Sequence, residues 1–378
     1  MELRLHGCSQ RSILKNKKII KMNILKIIIA VLALTLLISV WRMFPLLNLD
    51  YASIPNNANE CVAVDGPAGP EDLTIDQNKG LAYFATDDRR AYLTHGDRPS
   101  ENGALWSLNL NDTIPQLVRI EANYPEIFHP HGISLLRENE KDYLFVVNHP
   151  STTEHQVDIF EITSPSTATL LESITFPELI SPNDLHAVSR TSFFITNDHS
   201  SPRQTLGEKV EDFLRLAATN VLLYDNGKVH EVIGDLYMAN GVITNADQSK
   251  LIVSESTAER LAIYMRKSAD KLNWELEKHI SLNVMPDNLE WTTDGKILVA
   301  SHPKALDFLV HTFDASAKAP SVAHAVDLAT GQAEVIYADV GMELSGSSVA
   351  ASYKDQLLIG SVFEEKYVHC RAQQVANR

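Results

Sequence analysis

The sequence lacks the short motifs that mark three large classes of hydrolase. It contains no G-x-S-x-G elbow, no H-E-x-x-H pair and no glycine-rich phosphate loop. A serine hydrolase, a zincin and a nucleotide hydrolase would therefore each miss parts that their mechanisms need. The composition, with 44% hydrophobic and 21% charged residues, also excludes low-complexity, collagen-like and coiled-coil chains.

Basic side chains are scarce in most of the chain. The 378 residues include 33 Lys and Arg against 48 Asp and Glu, a formal net charge of −15. Residues 1–50 carry eight basic and two acidic side chains, so the remainder carries a net charge of −21. Such an acidic body argues against a nucleic-acid partner, because neutralising phosphates needs a basic face. It is compatible with the binding of cations.

One long hydrophobic run occurs, over residues 22–41. About 20 apolar residues span a bilayer, and no small-x-small cleavage pattern follows the run. We therefore expect an uncleaved signal anchor at 22–41, with the basic residues 1–21 in the cytoplasm and the body outside it, periplasmic or extracellular. One alternative is a cleaved signal peptide and a secreted protein. Another is a true start at Met22, which would remove the tail of residues 1–21.

Cysteine is nearly absent, and its three positions are informative. Cys8 precedes the hydrophobic run, whereas Cys61 and Cys370 lie near the two ends of the body. An oxidising compartment would let these two pair, and closing so long a loop stabilises a fold by roughly 5 kcal/mol in the chain-entropy view. The alternative is two unrelated thiols.

One local pattern recurs six times between residues 71 and 363. Each copy has a polar pair, an apolar or β-branched run, a turn, and a second apolar run that ends in polar residues. The copies begin at Glu71, His131, Asn183, Asn240, Asp287 and Ser345. Periods of this size are typical of propeller blades or solenoid arrays, and the short runs between turns predict strands and hairpins. Further strands are expected at 157–162, 221–224 and 261–264. We therefore predict an all-β, six-bladed β-propeller domain over residues 50–378.

A single segment, residues 208–219, shows helix-face spacing of apolar residues. It is expected to be either a lid over the channel or a connection within a blade.

The polar residue that opens each copy is expected to face the central channel, because the first strand of every propeller blade lines it. Two carboxylates, Glu71 and Asp287, would neutralise a divalent cation, and amides would fill its coordination without added charge. Oxygen ligands of this kind favour calcium over zinc. The amide candidates are Asn183, Asn240 and Asn288, and a second ion deeper in the channel would use Asp72, Asp184 and the carbonyl of Ile133. The alternative is that these polar groups satisfy one another and channel water.

Two histidines are expected at one rim of the channel. His131 opens the first strand of its copy and His149 ends the second, so a hairpin would bring them together. Beside a cation, such a pair can deprotonate a water, one ring acting as the base and the other orienting it. Asp198, His199 and His302 end equivalent strands and are expected to line the substrate pocket. No such register applies to the histidines expected to be surface or packing residues, which are His95, His129, His155, His186 and His230.

The chain resembles the paraoxonases, calcium-dependent lactonases and arylesterases built on a six-bladed propeller, over about residues 60–371. The matching pieces include Pro130-His131-Gly132-Ile133-Ser134, Val146-Val147-Asn148-His149-Pro150, Thr196-Asn197-Asp198-His199, Ala239-Asn240-Gly241 and His302-Pro303. The chain departs from the family pattern at His129 and over residues 87–102.

The resemblance implies two calcium ions and a disulfide between Cys61 and Cys370. The catalytic ion would be held by Glu71, Asn183, Asn240, Asp287 and Asn288, and the structural ion by Asp72, Ile133 and Asp184. His131 would be the general base with His149 as its partner, and Asp198, His199 and His302 would be pocket residues.

These inferences predict an enzyme that hydrolyses small-molecule lactones and, as a side activity, aryl esters. Its only expected membrane contact is the N-terminal anchor, and no protein partner is indicated. One alternative is a gluconolactonase-like sugar lactonase, which usually lacks a pair like His131 and His149. The other is a non-catalytic binding propeller, in which the polar ring would have decayed.

Overall fold

The short apolar runs form β-strands that pair in sequence order into six antiparallel sheets of four strands. The structure is a computed structural model that describes residues 3–49, 51, 59–95, 102–269 and 271–372. Within these residues the first strand is β1 (Asn59–Asp65), and blade one follows with β2 (Pro70–Asp76), β3 (Leu81–Thr86), β4 (Ala104–Asn109) and β5 (Leu117–Arg119). This confirms the six-bladed propeller.

The next four blades follow the same order. Blade two contains β6 (Pro130–Glu138), β7 (Lys141–Asn148), β8 (Gln156–Ser164) and β9 (Thr167–Ile174). Blade three contains β10 (Pro182–Ser189), β11 (Ser192–Asn197), β12 (Thr219–Asp225) and β13 (Lys228–Leu236). Blade four contains β14 (Ala239–Thr244), β15 (Lys250–Glu255), β16 (Arg260–Arg266) and β17 (Trp274–Ser281). Blade five contains β18 (Met285–Trp291), β19 (Ile297–His302), β20 (Ser321–Val326) and β21 (Ala333–Asp339).

The sixth blade joins the two ends of the body. It contains β22 (Ser347–Tyr353), β23 (Gln356–Ser361) and β24 (Lys366–Ala372), with β1 as its outer strand. Cys61 and Cys370 are directly opposite each other in the β1–β24 pair and form a disulfide. The predicted pairing is therefore confirmed, and the alternative of unrelated thiols is wrong.

The apolar core is divided into six clusters, each shared by two neighbouring blades. In one of them, Phe145 of blade two packs with Phe193 of blade three, and in another Phe84 of blade one packs with Tyr367 of blade six. Each sheet thus buries both faces against its neighbours, which explains why the inner strands are almost wholly buried.

Every innermost strand has an irregularity in its pairing at the polar residues that open it. The register shifts fall at 70–72, 130–133, 182–185, 239–242, 286–289 and 347–349. A bulge of this kind re-aims side chains beside a site. The bulges explain how two adjacent polar residues at the start of one strand can both direct their side chains towards the channel.

Three helices lie in connections between the second and third strands of alternate blades. They are α2 (Arg89–His95) in blade one, α3 (Leu206–Leu214) in blade three and α4 (Ala305–Phe313) in blade five, and a short 3₁₀ turn, Ser256–Ala258, takes this place in blade four. The helix expected at 208–219 is thus present with earlier bounds. The spacing of Leu306, Leu309, Val310 and Phe313 would have predicted α4 as well.

Ahead of the propeller, the hydrophobic run belongs to a long helix, α1 (Leu3–Leu47), of which residues Ile20–Leu47 are apolar enough to cross a membrane. Its last turns dock on the propeller, where Arg42 donates to the Arg215 carbonyl at 2.6 Å and Asn48 donates to the Pro303 carbonyl at 3.1 Å. The helix indicates a signal anchor or a signal peptide.

The division into a tail (1–21), an anchor (22–41) and a catalytic domain (50–378) stays a prediction. Residues 1–2, 50, 52–58, 96–101, 270 and 373–378 of it lie outside the described residues.

Candidate active site

A cavity of about 300 Å³ opens at the end of the channel where the six innermost strands begin. Its floor carries the polar residues that follow the bulges, and its rim carries residues of α3 and α4 such as Glu208 and Phe308. The cavity brings together most residues that the sequence singled out, namely Glu71, His131, His149, Asn183, Asp198, His199, Asn240, Asp287 and His302.

Within the described part of the chain, five buried oxygens around the channel have no hydrogen-bond partner. They belong to the five side chains expected to hold a catalytic ion, and are Glu71 Oε2, Asn183 Oδ1, Asn240 Oδ1, Asp287 Oδ1 and Asn288 Oδ1. A buried polar atom without a partner costs about 1–3 kcal/mol. Five of them around one channel therefore indicate a group that these oxygens would bind.

Glu71 is held by an amide and an arginine. Asn288 Nδ2 donates to Glu71 Oε1 at 3.0 Å, and Arg89 Nη2 lies 3.7 Å from Glu71 Oε2. Burial alone would raise the pKa of Glu71, but His131, Arg89 and the Asn288 hydrogen bond together lower it to about 2. Glu71 is therefore a carboxylate at neutral pH.

Asp287 is oriented from the far side of the channel by a histidine. His302 Nε2 lies 2.8 Å from Asp287 Oδ2, and the His302 ring is stacked on Phe308 with ring centres 3.8 Å apart. Burial raises the pKa of Asp287, and the contact with His302 partly offsets that rise. One Asp287 oxygen is thus engaged by His302, which leaves Oδ1 for the channel.

Deeper in the channel, Asp72 and Asp184 are both buried. Asp72 accepts from the backbone N–H of Ile133 at 2.6 Å, and Asp184 accepts from that of Val242 at 2.9 Å. Burial raises the pKa of both carboxyls well above the usual range, and the charge of Asp184 raises that of Asp72 further. These carboxyls form an acidic layer below the five oxygens.

The two expected histidines are in direct contact. His131 Nδ1 lies 3.0 Å from His149 Nε2, and His131 Nε2 lies 3.5 Å from Glu71 Oε2. Both rings are buried. The desolvation of burial lowers the pKa of His149 well below its ordinary value, and the Arg203 charge lowers it further, so His149 is neutral at neutral pH.

A third histidine, which register reasoning missed, continues this contact. His155 Nδ1 lies 2.9 Å from His149 Nδ1, and its Nε2 lies 3.1 Å from the carbonyl oxygen of Ile180. The connection between β7 and β8 turns back at Ser151, whose hydroxyl accepts from the N–H of Glu154 at 3.0 Å. No strand pattern predicts this turn, so the sequence offered no signal for His155.

The cavity wall on the side of blade three is charged. Asp198 Oδ1 lies 2.8 Å from His199 Nδ1, and Arg203 Nη2 lies 3.1 Å from Asp198 Oδ2. Burial would raise the pKa of Asp198, yet the charges of Arg203 and His199 hold it well below its usual range. Burial likewise opposes the charge on His199, but Asp198 and Asp212 raise its pKa to about 10. His199 is therefore a cation at neutral pH.

Residues outside the expected set also line the cavity. His129 Nδ1 lies 2.9 Å from Asp87 Oδ1, and Arg89 donates to the carbonyl oxygens of Gly69 and Pro130 at 2.9 and 2.8 Å. His129 was expected to be a packing or surface residue. These contacts fall where the sequence departs from the paraoxonase pattern, and that departure was the available signal.

The sixth copy contributes a different residue from the one expected. Ser345 precedes β22, and its hydroxyl donates to the Gly341 carbonyl at 3.1 Å rather than facing the channel. The residue in register is Ser348, which donates to the Glu71 carbonyl at 2.5 Å. A loop before β22 shifted the pattern by three residues.

The charge of the oxygen ring is low for its size. Among the described residues, no group of three or more His, Cys, Asp or Glu side chains is arranged to hold a metal. The ring has two acids, Glu71 and Asp287, and three amides, so it presents oxygen donors without a third charge or a soft ligand. This donor set suits a hard cation and does not suit zinc.

Sequence comparisons with known proteins agree on one family. The arylesterase family model matches residues 71–371. Serum paraoxonase/arylesterase 1 of Rattus norvegicus is 32% identical over 82% of this chain and 88% of its own length, and serum paraoxonase/lactonase 3 of Homo sapiens is 30% identical over 80% and 86%. A gluconolactonase structure from Xanthomonas campestris shares the fold, with a TM-score of 0.51 at 12% identity over 84% of this chain and 90% of that one.

Proposed function

The chain belongs to the arylesterase family of ester-hydrolysing enzymes, and from that premise we propose that it is a calcium-dependent lactonase that also cleaves aryl esters. The relatives named paraoxonase and lactonase support a small-molecule ester as the substrate. The observation that carries the proposal is the contact between His131 and His149 beside five buried oxygens that have no hydrogen-bond partner among the described residues.

The family suggests a metal cofactor, and the oxygen ring supports calcium as the ion. Calcium takes six to eight oxygen ligands at flexible geometry, and the ring offers five side-chain oxygens, with room for water and a substrate oxygen. These ligands would be Glu71, Asn183, Asn240, Asp287 and Asn288. When bound, the ion supplies a Lewis acid for the substrate carbonyl oxygen.

A second calcium ion would have a structural role in the acidic layer. Asp72 and Asp184 bring two carboxyls together out of contact with water, and burying unpaired charge of one sign is costly. A cation there would offset that cost, with the Ile133 carbonyl as a further donor.

The histidine pair would supply the proton chemistry. His131 Nε2 takes a proton from a water molecule while the water oxygen forms a bond to the ester carbonyl carbon. The bond from that carbon to the leaving oxygen then breaks, and the leaving oxygen takes the proton from Nε2. A lactone and water thus become one hydroxy acid. His149, which is neutral and buried, holds the His131 ring in place.

The rim of the cavity supports lipophilic substrates. Helices α3 and α4, which contribute Glu208 and Phe308 to the cavity wall, also carry exposed apolar side chains, among them Leu206, Phe213, Leu309 and Phe313. Helix α1 contacts both of these helices, so a membrane-inserted anchor would hold the cavity close to the bilayer surface. Asp198, His199 and His302 would contact the substrate inside.

The direct test measures hydrolysis of an acyl-homoserine lactone, a δ-lactone, glucono-δ-lactone and phenyl acetate by the full chain in detergent, with calcium and with EGTA. We expect turnover of the lipophilic lactones that EGTA abolishes and calcium restores. His131→Gln should lower kcat by about 10²–10⁴-fold, the usual contribution of a positioned base. Asp287→Ala should remove activity at ordinary calcium concentrations.

The matched control is Asp294→Ala, which removes an exposed acid from the β18–β19 turn of the same blade and should leave turnover unchanged. Folded, calcium-loaded protein that hydrolyses none of the four substrates would refute the proposed activity. Turnover of glucono-δ-lactone alone, unaffected by His131→Gln, would favour a sugar lactonase without a histidine base.

A further inference from the structure

His155 lies behind the histidine pair and does not reach the cavity. It is buried, with 4% of its surface exposed, and it completes a line of contacts from Glu71 through His131, His149 and His155 to the carbonyl of Ile180. The three rings contact each other through their nitrogens, at 3.0 and 2.9 Å. Each of these hydrogen bonds needs one hydrogen, and the ring that carries this hydrogen is the donor.

Three neutral rings carry three hydrogens for the four contacts of this line. The longest contact, 3.5 Å between His131 Nε2 and Glu71 Oε2, is the one left without a hydrogen, so the Ile180 end fixes the directions. A carbonyl oxygen accepts hydrogen bonds and does not donate, so His155 Nε2 carries a hydrogen. A neutral imidazole has one such hydrogen, so His155 Nδ1 accepts from His149 Nδ1. The same rule makes His149 Nε2 accept from His131 Nδ1. Burial lowers the pKa of His155 to about 4 and that of His149 well below its ordinary value, so both rings are neutral at neutral pH.

We propose that His155 and the Ile180 carbonyl are a positioning pair that keeps the hydrogen of His131 on Nδ1 and so leaves His131 Nε2, beside Glu71, as the nitrogen that exchanges a proton with water and substrate. The role of Nε2 rests on the proposed function, whereas the order of hydrogens along the three rings does not.

The connection between β9 and β10, which joins blades two and three, contacts both ends of this arrangement. Ile180 lies in the segment that leads into β10, and Asn197 Oδ1 accepts from the N–H groups of Ile180 and Ser181 at 3.0 Å each. The hydroxyl of Thr175 donates to the His155 carbonyl at 3.1 Å. The carbonyl that sets the order therefore sits in a rigid connection just before Asn183, one of the expected calcium ligands.

The first test reads the hydrogens directly. Long-range ¹H–¹⁵N correlation spectra of the full chain in detergent, with ¹⁵N-labelled histidine, distinguish the two neutral tautomers, and His131→Gln, His149→Gln and His155→Gln variants assign the signals. We expect His155 with its hydrogen on Nε2 and His149 and His131 with theirs on Nδ1. A His155 signal with the hydrogen on Nδ1 would overturn the inference, whatever the enzyme hydrolyses.

The second test compares two substitutions of His155. Leucine removes both hydrogen bonds, whereas glutamine keeps a donor for Ile180 and an acceptor for His149. His155→Leu should lower kcat by about 10- to 100-fold, a part of what a correctly oriented base contributes, with KM changed less than about twofold. His155→Gln should restore most of kcat. His324→Leu, which removes a comparably buried histidine from β20, is the control for packing.

The outcomes separate this inference from the activity itself. The expected tautomers in a protein without lactonase activity would leave the histidine order standing and refute the proposed function. An active enzyme in which His155→Leu keeps both kcat and the His149 tautomer would refute the inference alone. If His155→Leu does not fold, the wild-type spectrum and His155→Gln still decide the question.

Discussion

The disulfide that closes the propeller ring should stabilise the fold, and the free energy it contributes can be estimated from the length of the loop that it closes. Cys61 and Cys370 are 309 residues apart in sequence and meet in the outer pair of blade six. Cross-linking a loop of that length removes chain entropy from the unfolded state equivalent to between about 5 and 6 kcal/mol at 25 °C. Without the disulfide, β1 is held by its pairing with β24 from Asn59 to Asp65 and by Val64, which packs against one core cluster.

The perturbation is the double variant Cys61→Ala/Cys370→Ala. Removing native disulfides typically costs about 2–5 kcal/mol, so we expect the free energy of unfolding to fall by an amount in that range. Urea unfolding of the full chain in detergent, followed by tryptophan fluorescence, measures it as a lower midpoint at an unchanged m-value. Lactone turnover at low urea should be retained, because the disulfide lies at the outer edge of its blade and the candidate site lies on the axis.

Cys8→Ala is the matched control, since it removes a cysteine and leaves the disulfide. Thiol titration before and after reduction verifies that the wild type is oxidised. An oxidised wild type and a double variant that unfold at the same urea concentration would show that the disulfide contributes nothing to ring closure, and the reasoning above would be wrong.

The other predictions concern the site. Gly132→Ala would place a Cβ 2.6 Å from the Asn183 carbonyl oxygen, so it should separate two strands that carry expected ligands, cost about 1–3 kcal/mol and weaken calcium activation. The control is Gly227→Ala in the β12–β13 turn, which strains the backbone at φ +82° but has open space around it, and equal calcium affinity in both variants would contradict the argument. Calcium at 100 times its Kd should stabilise the fold by about 2.7 kcal/mol over the EGTA-treated protein, measured by urea unfolding, and no difference would argue against a buried ion. The folded-state pKa of His199, about 10, is above its unfolded value of about 6.5. The ion pairs of His199 therefore stabilise the fold fully below about pH 6.5, and this stabilisation is lost as the pH rises through about 10. The difference in urea midpoint between the wild type and His199→Gln should accordingly become smaller from pH 7 to pH 10. A constant or growing difference would contradict the assignment.

The fold was largely predictable from sequence because its signals are local and repeated. Six copies of one hairpin pattern, at spacings of 47–60 residues, predict blades without any knowledge of contacts. The position of a polar residue at the start of each copy also predicts that Glu71, Asn183, Asn240 and Asp287 converge. Their ligand roles stay predictions, with the five buried oxygens as their support.

The parts that sequence did not predict depend on irregular connections. Helix α2 has seven residues, too few for a clear periodicity, and the loop before β22 moved the sixth register residue from Ser345 to Ser348. His129 pairs with Asp87, 42 residues earlier in the chain, through a connection that has no repeat.

The sequence by itself predicted the number of blades and the polar residues gathered on the axis, because each follows from residue type and a repeated spacing. The pairing of Cys61 with Cys370 was an expectation that the structure confirmed. Only the tertiary structure decided how the oxygens are oriented and in which direction the histidine hydrogen bonds run. The bulge that opens each innermost strand aims the oxygens, and the carbonyl of Ile180, in the connection that leads into the neighbouring blade, faces His155. Hydrogen-bond direction depends on which groups meet across blades, and distances along the chain do not contain that information.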